Sequence, residues 1–330
     1  MNSSASALIH QAANRVDQAH QQLTTAATPP YTTALEYNLR LSEQHGMNVY
    51  LKHEHMQHTG SFKYRGALNR ILSLDPNSRE RGVVTASSGN HGMACAMAAR
   101  ESQVPLTVFV PENASPLKVK KIRALGAEVR HAPGDCLVAE LTAADMANTE
   151  GQTYISPYND HMVMAGQGTV GLEMFNQLPS LDAVFIAVGG GGLIGGTGAW
   201  LKAHHPHIEI FGCWPENAPA MAECLKAGSV IEVDEQPTLS DGTAGGVEPG
   251  AITFDVCQAV IDHQVRVSEA AIAHALHDTL IEERMIIEGA AAVPLAALAQ
   301  CEEQLAGKNV AVVLCGRNIA TDILKEMLTG

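Results

Sequence analysis

Short apolar segments rich in β-branched residues alternate with Ala-rich or amphipathic helical patterns along most of the chain. Segments of this length and composition are typical of strands that are buried on both faces of a parallel sheet. Strands that alternate with helices join through right-handed crossovers, so the sequence predicts an α/β protein with parallel sheets. The predicted strands are Asn48–Lys52, Gly82–Ala86, Leu106–Val110, Ala127–His131, Ala183–Val188, Ile208–Cys213 and Val310–Leu314.

The 330 residues suffice for roughly two compact units at about 150 residues per domain. Residues 79–159 carry a βαβαβα pattern of their own between two turn-rich sequences. We therefore predict a small α/β domain over 79–159 and a large domain formed by 1–78 and 160–330. The predicted helices are Gly92–Glu101, Pro116–Leu125, Cys136–Thr149, Thr169–Gln177 and, at the end, Asn318–Leu328.

Charge and cysteine usage exclude several classes of protein. The 21 Lys and Arg against 35 Asp and Glu give a net charge of −14, which repels the phosphate backbone of nucleic acids. No apolar run approaches the roughly 20 residues that span a bilayer, and the N-terminal residues lack the pattern of a secretion signal. Seven cysteines without a CxxC pair indicate reduced thiols. We therefore expect a cytoplasmic protein with neither nucleic acid nor membrane as a partner.

Four consecutive glycines, Gly189 to Gly192, follow the apolar segment that ends at Val188 and precede a helical pattern. Such a run costs backbone entropy, and it commonly lets bare N–H groups approach an anion at a helix N-terminus. We interpret it as a phosphate-binding loop. A tight strand-to-helix turn and a dinucleotide-binding fingerprint are the alternatives, although the fingerprint normally lies in the first βα unit.

Three further short motifs lie at or near the ends of predicted strands, where ligands bind in open parallel sheets. Lys63 stands in GSFKYRGA at the start of a helical pattern, where apolar surroundings would lower the pKa of its amine; alternatively it is a surface lysine. The loop SSGNHG from Ser87 offers donors for a carboxylate, or serves only as a helix cap. Cys315 in LCGRN is by itself a buried small apolar residue.

Taken in order and spacing, these motifs resemble the fold type II pyridoxal-phosphate enzymes. Over nearly all of its length the chain is similar to their serine/threonine dehydratase and serine racemase group. The segments CWPENAPAM, SDGTAGGVEPGAITF and CGRN resemble the dehydratases of hydroxyectoine utilisation. The resemblance implies two open, mostly parallel twisted sheets flanked by helices, as in the β subunit of tryptophan synthase. It also implies pyridoxal 5′-phosphate as the cofactor and a homodimer.

The resemblance also implies the residues of the site. Lys63 would carry the cofactor as a Schiff base and later act as the base at the substrate Cα. The other cofactor contacts would be Phe62, Asn90 at the 3′ oxygen of the ring, Gly189, Gly190, Gly191, Gly192 and Leu193 at the phosphate, and Cys315 at the pyridine nitrogen. The substrate carboxylate would be bound by Ser87, Ser88, Asn90 and His91.

The implied reaction is the loss of water from a small β-hydroxy amino acid, which gives a 2-oxo acid and ammonia. A thiol at position 315 makes only a weak hydrogen bond to the ring nitrogen, and this milder electron sink suits β-elimination. Racemases of the group carry serine at the position of Ser88 as an acid or base, so an amino-acid racemase using Lys63 and Ser88 is the alternative. The third hypothesis is a sensor or nucleotide-binding protein without catalytic activity.

Metal ions are not expected at two places. Trp214 and Ala220 occupy the positions at which serine racemases carry the carboxylates of a divalent-cation site. His53 and His55 are read as part of a strand, where alternating side chains point to opposite faces, so we expect no zinc site there. Glu288 in IIEGAAA matches a family glutamate near the cofactor, and its alternative role is that of a carboxylate at a helix N-terminus.

Overall fold

The structure is a computed structural model that describes residues 3–134 and 136–329, with the side chains of 136, 137 and 329 left out. Within these residues the strands are β1 Leu35–Tyr37, β2 Asn48–Lys52, β3 Val83–Ala86, β4 Leu106–Pro111, β5 Glu128–Ala132, β6 Thr153–Tyr154, β7 Ala183–Ala187, β8 Glu209–Pro215, β9 His263–Val267 and β10 Asn309–Val313.

The helices within the same residues are α1 Ser3–Thr24, α2 Leu39–His45, α3 Lys63–Leu72, α4 Pro76–Arg81, α5 Asn90–Glu101, α6 Pro116–Ala124, α7 Cys136–Glu150, α8 His161–Gln177, α9 Gly192–His204, α10 Ala220–Ala227, α11 Ile252–Val260, α12 Glu269–Ile281, α13 Gly289–Ala297, α14 Glu302–Leu305 and α15 Thr321–Thr329. None of them is both long enough and apolar enough to cross a membrane.

The strands form two sheets. The larger has the order β1-β2-β10-β7-β8-β9, and all its pairs are parallel except the antiparallel pair β1 and β2. The smaller has the order β5-β4-β3-β6 and is entirely parallel. Helices flank both sheets, so the predicted fold class of two mostly parallel sheets is confirmed.

Each of the seven predicted strands is present, with ends that shift by at most two residues. The prediction missed β1, β6 and β9. These strands have two to five residues, and most of their side chains are partly or largely exposed, so they lack the continuous apolar run that marks a buried strand. Helix α8 begins at His161, eight residues before the predicted Thr169, and α15 begins at Thr321 instead of Asn318.

Helix α1 was also missed. It buries Ile9, Ala12, Val16, Ala19 and Leu23, which recur every three or four residues and so lie on one face. That spacing could have predicted the helix, but half of the buried residues are alanines, whose small side chains give a weak apolar signal. Helix α1 packs against α8 and α9, which also pack against each other.

The small sheet is built entirely from strands between Val83 and Tyr154. Its core is shared with α3, because Tyr64, Leu68 and Ile71 pack with buried residues of α5 and β4. The division into domains 79–159 and 1–78 with 160–330 stays a prediction. Helix α3, whose first residue is Lys63, therefore packs against elements on both sides, against α5 beside the small sheet and against α8.

Candidate active site

One cavity of about 440 Å³ lies where the carboxyl ends of the strands of both sheets meet. Its walls come from the segments that directly follow β3, β7 and β10, and from the start of α3. All residues that the sequence singled out for the site line it: Phe62, Lys63, Ser87, Ser88, Asn90, His91, Gly189, Gly190, Gly191, Gly192, Leu193 and Cys315. This volume lies in the usual range of small-molecule sites, about 300–1,000 Å³.

Lys63 is the first residue of α3, and backbone contacts fix where it begins. The Phe62 N–H donates to the Cys315 carbonyl at 3.1 Å, and Ser61 pairs with Gly316, so the segment before α3 is joined to the end of β10. Lys63 Nζ donates to the Pro157 carbonyl at 3.0 Å. Burial lowers the pKa of this amine to about 8. A substantial fraction of the amine is therefore neutral and nucleophilic near physiological pH.

The glycine run forms the turn between β7 and α9. Gly191 is the N-cap of α9 and has φ of +86°, a conformation that favours glycine. A Cβ at Gly190 would lie 2.3 Å from the Tyr158 ring, so a larger residue cannot stand there without displacing the ring. The first amides of a helix have no partner within the helix, and here they line the cavity. The loop therefore presents bare backbone amides to the cavity, and such amides can bind an anion.

The loop after β3 is equally tight. Ser87 Oγ accepts a hydrogen bond from the Gly89 N–H at 3.1 Å, and a Cβ at Gly92 would lie 2.1 Å from the Ser87 carbonyl oxygen. His91 Nε2 donates to the Ile155 carbonyl at 3.1 Å, and burial lowers the pKa of this imidazole to about 3. His91 is thus neutral and its Nε2 is used by the backbone, which leaves its own N–H at the start of α5 as the group for a ligand.

Asn90, Glu288 and Asn318 form a hydrogen-bonded group on the cavity wall. Asn90 Nδ2 donates to both Glu288 carboxylate oxygens at 2.8 and 2.9 Å, and Asn318 Nδ2 donates to Asn90 Oδ1 at 2.7 Å. The Asn318 N–H adds a bond to Glu288 at 3.0 Å. Burial raises the pKa of Glu288 to about 7, although Asn90 opposes the shift. These contacts hold the amide of Asn90 in one orientation.

Cys315 follows β10 and is buried. Burial, followed by the nearby Glu288, raises the pKa of the thiol well above its usual range. Cys315 is therefore a neutral thiol, able to make only a weak hydrogen bond. A Cβ at Gly316 would lie 2.3 Å from a Glu288 oxygen, so the residue after Cys315 must also be small.

Sequence analysis missed a buried ionic network beneath α3, defined by Lys52, Glu54, Arg65 and Glu173. The Arg65 guanidinium donates to Glu54 at 2.8 Å and to Glu173 at 2.6 and 2.8 Å. Lys52 Nζ donates to Glu173 at 2.8 Å. Arg65 lies two residues after Lys63, so this network ties the first turn of α3 to β2 and α8. In the sequence, the only sign of this network is Lys52, a lysine at the end of a buried strand.

Sequence analysis also missed cavity residues that come from loops and from the small-sheet side: Lys118, Glu140, Tyr158, Asp241 and Thr243. Lys118, Glu140 and Tyr158 lie in segments without a motif, and Asp241 and Thr243 lie in SDGTAGGVEPGAITF, to which sequence analysis gave no role in the site. The packing of the two sheets brings these residues to the same cavity.

The reasoning about His53 and His55 was wrong in its geometry. The segment Glu54–Met56 is a 3₁₀ turn and not a strand, and the two imidazole rings are neighbours, with centroids 5.2 Å apart. Burial lowers the pKa of His55 to about 4. Within the part of the chain that the structure describes, no three His, Cys, Asp or Glu side chains are grouped as a metal site would require.

The cavity fits pyridoxal phosphate. A lysine with a lowered pKa, a glycine turn in which a Cβ would clash with the surrounding protein, and a neutral thiol meet there, and they match the aldehyde, the phosphate and the ring nitrogen of that cofactor. The chain belongs to the family described as "Pyridoxal-phosphate dependent enzyme", which it matches over residues 27–316. Pyridoxal phosphate is its cofactor.

Several similar proteins are named as threonine dehydratases or as serine racemases. The chain is 39% identical to the L-threonine ammonia-lyase of Thermotoga maritima over 90% of its length and 74% of the relative's. It is 39% identical to a putative threonine dehydratase of Sinorhizobium fredii over 91% of both chains. Threonine deaminase isoform 2 of Solanum lycopersicum superposes with a TM-score of 0.89 at 32% identity, covering 96% of this chain and 93% of that one. The serine racemase of Dictyostelium discoideum superposes with 0.85 at 32% identity, covering 93% and 98%.

Proposed function

We propose that the chain is an ammonia-lyase that removes water from a small β-hydroxy amino acid, threonine- or serine-like, and yields a 2-oxo acid and ammonia. The observation that carries the proposal is the meeting, in one cavity, of an amine with a lowered pKa, a bare-amide anion cradle and a neutral thiol. The likeness to threonine ammonia-lyases over nine-tenths of the chain supports the same reaction.

Bound at Lys63, pyridoxal phosphate supplies an electron sink for the bond broken at the substrate Cα. The amine of Lys63 then has two tasks: it holds the cofactor, and, once freed by the substrate, it removes the Cα proton. A base whose pKa lies near the working pH is efficient in such a transfer, and burial places this amine at about 8. Hydroxide leaves from Cβ with a proton as water. The released enamine hydrolyses to the 2-oxo acid and ammonia.

The other site residues would bind the cofactor and set the protonation of its ring nitrogen. We assign Gly189 to Gly192 with the Leu193 amide to the phosphate, where helix α9 adds the positive end of its dipole. Phe62 and Asn90 would contact the ring of the bound cofactor, and Glu288 and Asn318 keep the Asn90 amide oriented. The Cys315 thiol is neutral and would stand at the ring nitrogen, where it would not hold that nitrogen protonated.

The substrate carboxylate is assigned to the loop after β3. Ser87, Ser88 and Asn90 line the cavity at the N-terminus of α5, where free N–H groups and the helix dipole favour an anion. His91 contributes through its backbone because its Nε2 already donates to Ile155.

The test is Lys63→Ala, with Lys120→Ala as the matched control. Lys120 is exposed on α6 and does not line the cavity. We expect Lys63→Ala to abolish formation of 2-oxo acid from L-threonine and L-serine and to lose the visible absorbance of lysine-bound cofactor, which borohydride fixes in the unmodified enzyme. Lys120→Ala keeps both. Undiminished turnover in Lys63→Ala would refute the proposed mechanism.

Racemisation is the second candidate, because the Ser88 hydroxyl shares the cavity with the Lys63 amine and so supplies a second group able to exchange a proton. The structural likeness to a serine racemase supports it. Chiral analysis of the amino acid that remains after incubation separates the two reactions. Inversion without release of 2-oxo acid would favour the racemase over the lyase.

The particular substrate, the assembly and the location are further proposals. The family resemblance supports a homodimer in the cytoplasm, which sedimentation and fractionation test. The candidate substrates are serine, threonine, hydroxyaspartate and a hydroxylated diaminobutyrate derived from hydroxyectoine, and a panel of these assayed for 2-oxo acid formation ranks them.

A further inference from the structure

The cofactor-binding lysine and a buried amide share one backbone carbonyl. Lys63 Nζ donates to the Pro157 carbonyl at 3.0 Å, and Gln167 Nε2 donates to the same oxygen at 3.1 Å. Gln167 lies on α8 and is fully enclosed. Because a carbonyl oxygen can only accept hydrogen bonds, the amide nitrogen of Gln167 must face it, which fixes the orientation of this side chain. Among the described residues, Pro157 lines the cavity and Gln167 does not.

Gln167 lies where α8 meets two other helices. A Cβ at Gly66 would lie 2.9 Å from its Cγ, so the side chain packs closely against α3, the helix that Lys63 begins. A Cβ at Gly192 would lie 2.4 Å from its Oε1, so the amide ends against the first residue of α9. The amide is therefore held tightly between α3 and α9 with its donor toward the Pro157 carbonyl.

Packing alone does not explain an amide at this position. Gln167 Oε1 is buried, and within the described part of the chain it has no hydrogen-bond donor. An unsatisfied buried oxygen costs free energy, and a methionine of the same length would fill the space without that cost. The amide is explained by its other end, because a second, fixed donor restricts the directions in which the Pro157 carbonyl can accept from Lys63.

The Lys63 amine needs a fixed position at two stages of the proposed reaction. It is free before it captures the cofactor, and it is free again after the substrate has displaced it. An amine that gives one N–H to a carbonyl keeps its lone pair, with which it can attack an aldehyde or take up a proton. Holding a reacting group in one place matters, since a displacement of about 1 Å can cost about 10²-fold in rate.

We propose that Gln167 is a positioning residue, which fixes the Pro157 carbonyl as the docking point of the Lys63 amine whenever this amine is not bonded to the cofactor. The proposal rests on the proposed function, because that function gives the amine its two tasks of holding the cofactor and removing the Cα proton. Gln167 acts through the Pro157 carbonyl and takes no part in the proton transfers.

The test follows the capture of the cofactor by the full chain from which cofactor has been removed. The first-order rise in the visible absorbance of lysine-bound cofactor is measured at saturating pyridoxal phosphate and, separately, at saturating pyridoxal, which lacks the phosphate. The variant Gln167→Met keeps the length of the side chain and removes the donor. The matched control is Asn69→Leu. Asn69 is also fully enclosed and donates to the Met162 carbonyl at 2.7 Å, but it is not among the described residues of the cavity wall.

We expect Gln167→Met to slow both captures by about tenfold or more, and Asn69→Leu to leave both near the rate of the unmodified protein. Gln167→Asn keeps the amide but shortens its reach by one methylene, so it should slow both captures as well, and it carries the test if Gln167→Met does not fold. With the best substrate of the panel, the loaded Gln167→Met enzyme should lose kcat while KM changes little. Its isotope effect for deuterium at Cα should rise, because removal of that proton becomes slower.

Equal capture rates in Gln167→Met and the unmodified protein, or an unchanged kcat in the loaded variant, would overturn the proposal. Slower capture of pyridoxal phosphate alone would assign Gln167 to the phosphate instead, and equal slowing in Asn69→Leu would make the effect one of general packing; each of these results also overturns it. In all these cases the proposed function stands. If the unmodified protein captures neither aldehyde at a lysine, the proposed function fails as well.

Discussion

Replacing Arg65 by methionine tests whether the buried ionic network beneath α3 stabilises the fold and the position of Lys63. The guanidinium is fully enclosed and makes six hydrogen bonds, to Glu54, Glu173, Thr169 and the Tyr31 carbonyl. Methionine has a similar length but neither charge nor donors. The change therefore leaves two buried carboxylates with one cation, Lys52, between them.

The expected cost follows from that imbalance. Removing one partner of a buried pair typically costs about 3–5 kcal/mol, because the remaining charge stays in the interior. An exposed pair costs about 0–1 kcal/mol. We expect a cost near the upper end of that range for the control Arg40→Met, whose ion pair with Glu283 is partly exposed to solvent. The double variant Arg65→Met with Glu54→Leu removes both charges and should recover most of the loss.

The pH dependence gives a second readout. Burial raises the pKa of Glu54, but Arg65 and Lys52 outweigh it and hold this pKa below its usual value. The stability that this carboxylate contributes is present above its unfolded pKa and is lost as the pH falls through the folded one. Without Arg65, burial dominates and Glu54 takes up a proton at higher pH. The cost of Arg65→Met should therefore shrink as the pH falls from about 8 to about 5.

The assay is equilibrium urea unfolding, followed by circular dichroism at one fixed cofactor concentration. The visible absorbance of the bound cofactor is recorded in parallel, since a displaced α3 should bind it less well. A cost below about 1 kcal/mol, equal to that of Arg40→Met, would refute the reasoning about burial. A large cost that stays constant with pH would refute the part played by Glu54.

Three other changes test the cavity wall. Gly190→Ala should lose bound cofactor, because its Cβ would lie 2.3 Å from the Tyr158 ring. Gly246→Ala, with open space around its Cβ, should retain the cofactor. Equal cofactor absorbance in the two variants would contradict the proposed role of the glycine loop in binding the cofactor. Glu288→Gln should remove a titration near pH 7. Because the folded carboxyl holds its proton more tightly than the unfolded one, the unmodified protein should lose stability relative to the variant as the pH rises through 7. Urea midpoints of the two proteins that stay parallel across that range would contradict the raised pKa of Glu288. Cys315→Ser should change turnover little, because both side chains are neutral. Cys315→Asp should alter the partition between elimination and side reactions. If the partition in Cys315→Asp equals that of the unmodified enzyme, the argument that a neutral thiol makes the cofactor a milder electron sink is refuted.

The parts of the fold that sequence reasoning predicted are those with a strong local signal. Buried parallel strands such as β7 and β8 are continuous apolar runs, and their pattern does not depend on what they contact. The edge strand β9 and the short β6 have mixed side chains, so their strand character comes from the neighbour with which they pair. Helix α1 carried a periodic signal that its alanines made weak.

The site divides in the same way. Lys63, the glycine run and the loop after β3 could be predicted because each needs particular residue types: an amine, backbones without a Cβ, and small donors at a helix start. Glu140 and Arg65 could not, since a glutamate or arginine on a helix is usually at the surface and nothing local shows otherwise. Arg65 depends in part on Glu173, 108 residues away, and Glu140 reaches the cavity only through the packing of the two sheets.

The amino-acid sequence alone determined the α/β class, the strand ends where ligands bind, and the motifs that point to pyridoxal phosphate, because backbone propensity and steric demand act over a few residues. Only the tertiary structure decided the charge state of those groups. The lowered pKa of Lys63, the raised pKa of Glu288 and the neutral thiol of Cys315 all come from desolvation, and desolvation is set by which distant segments pack over a side chain.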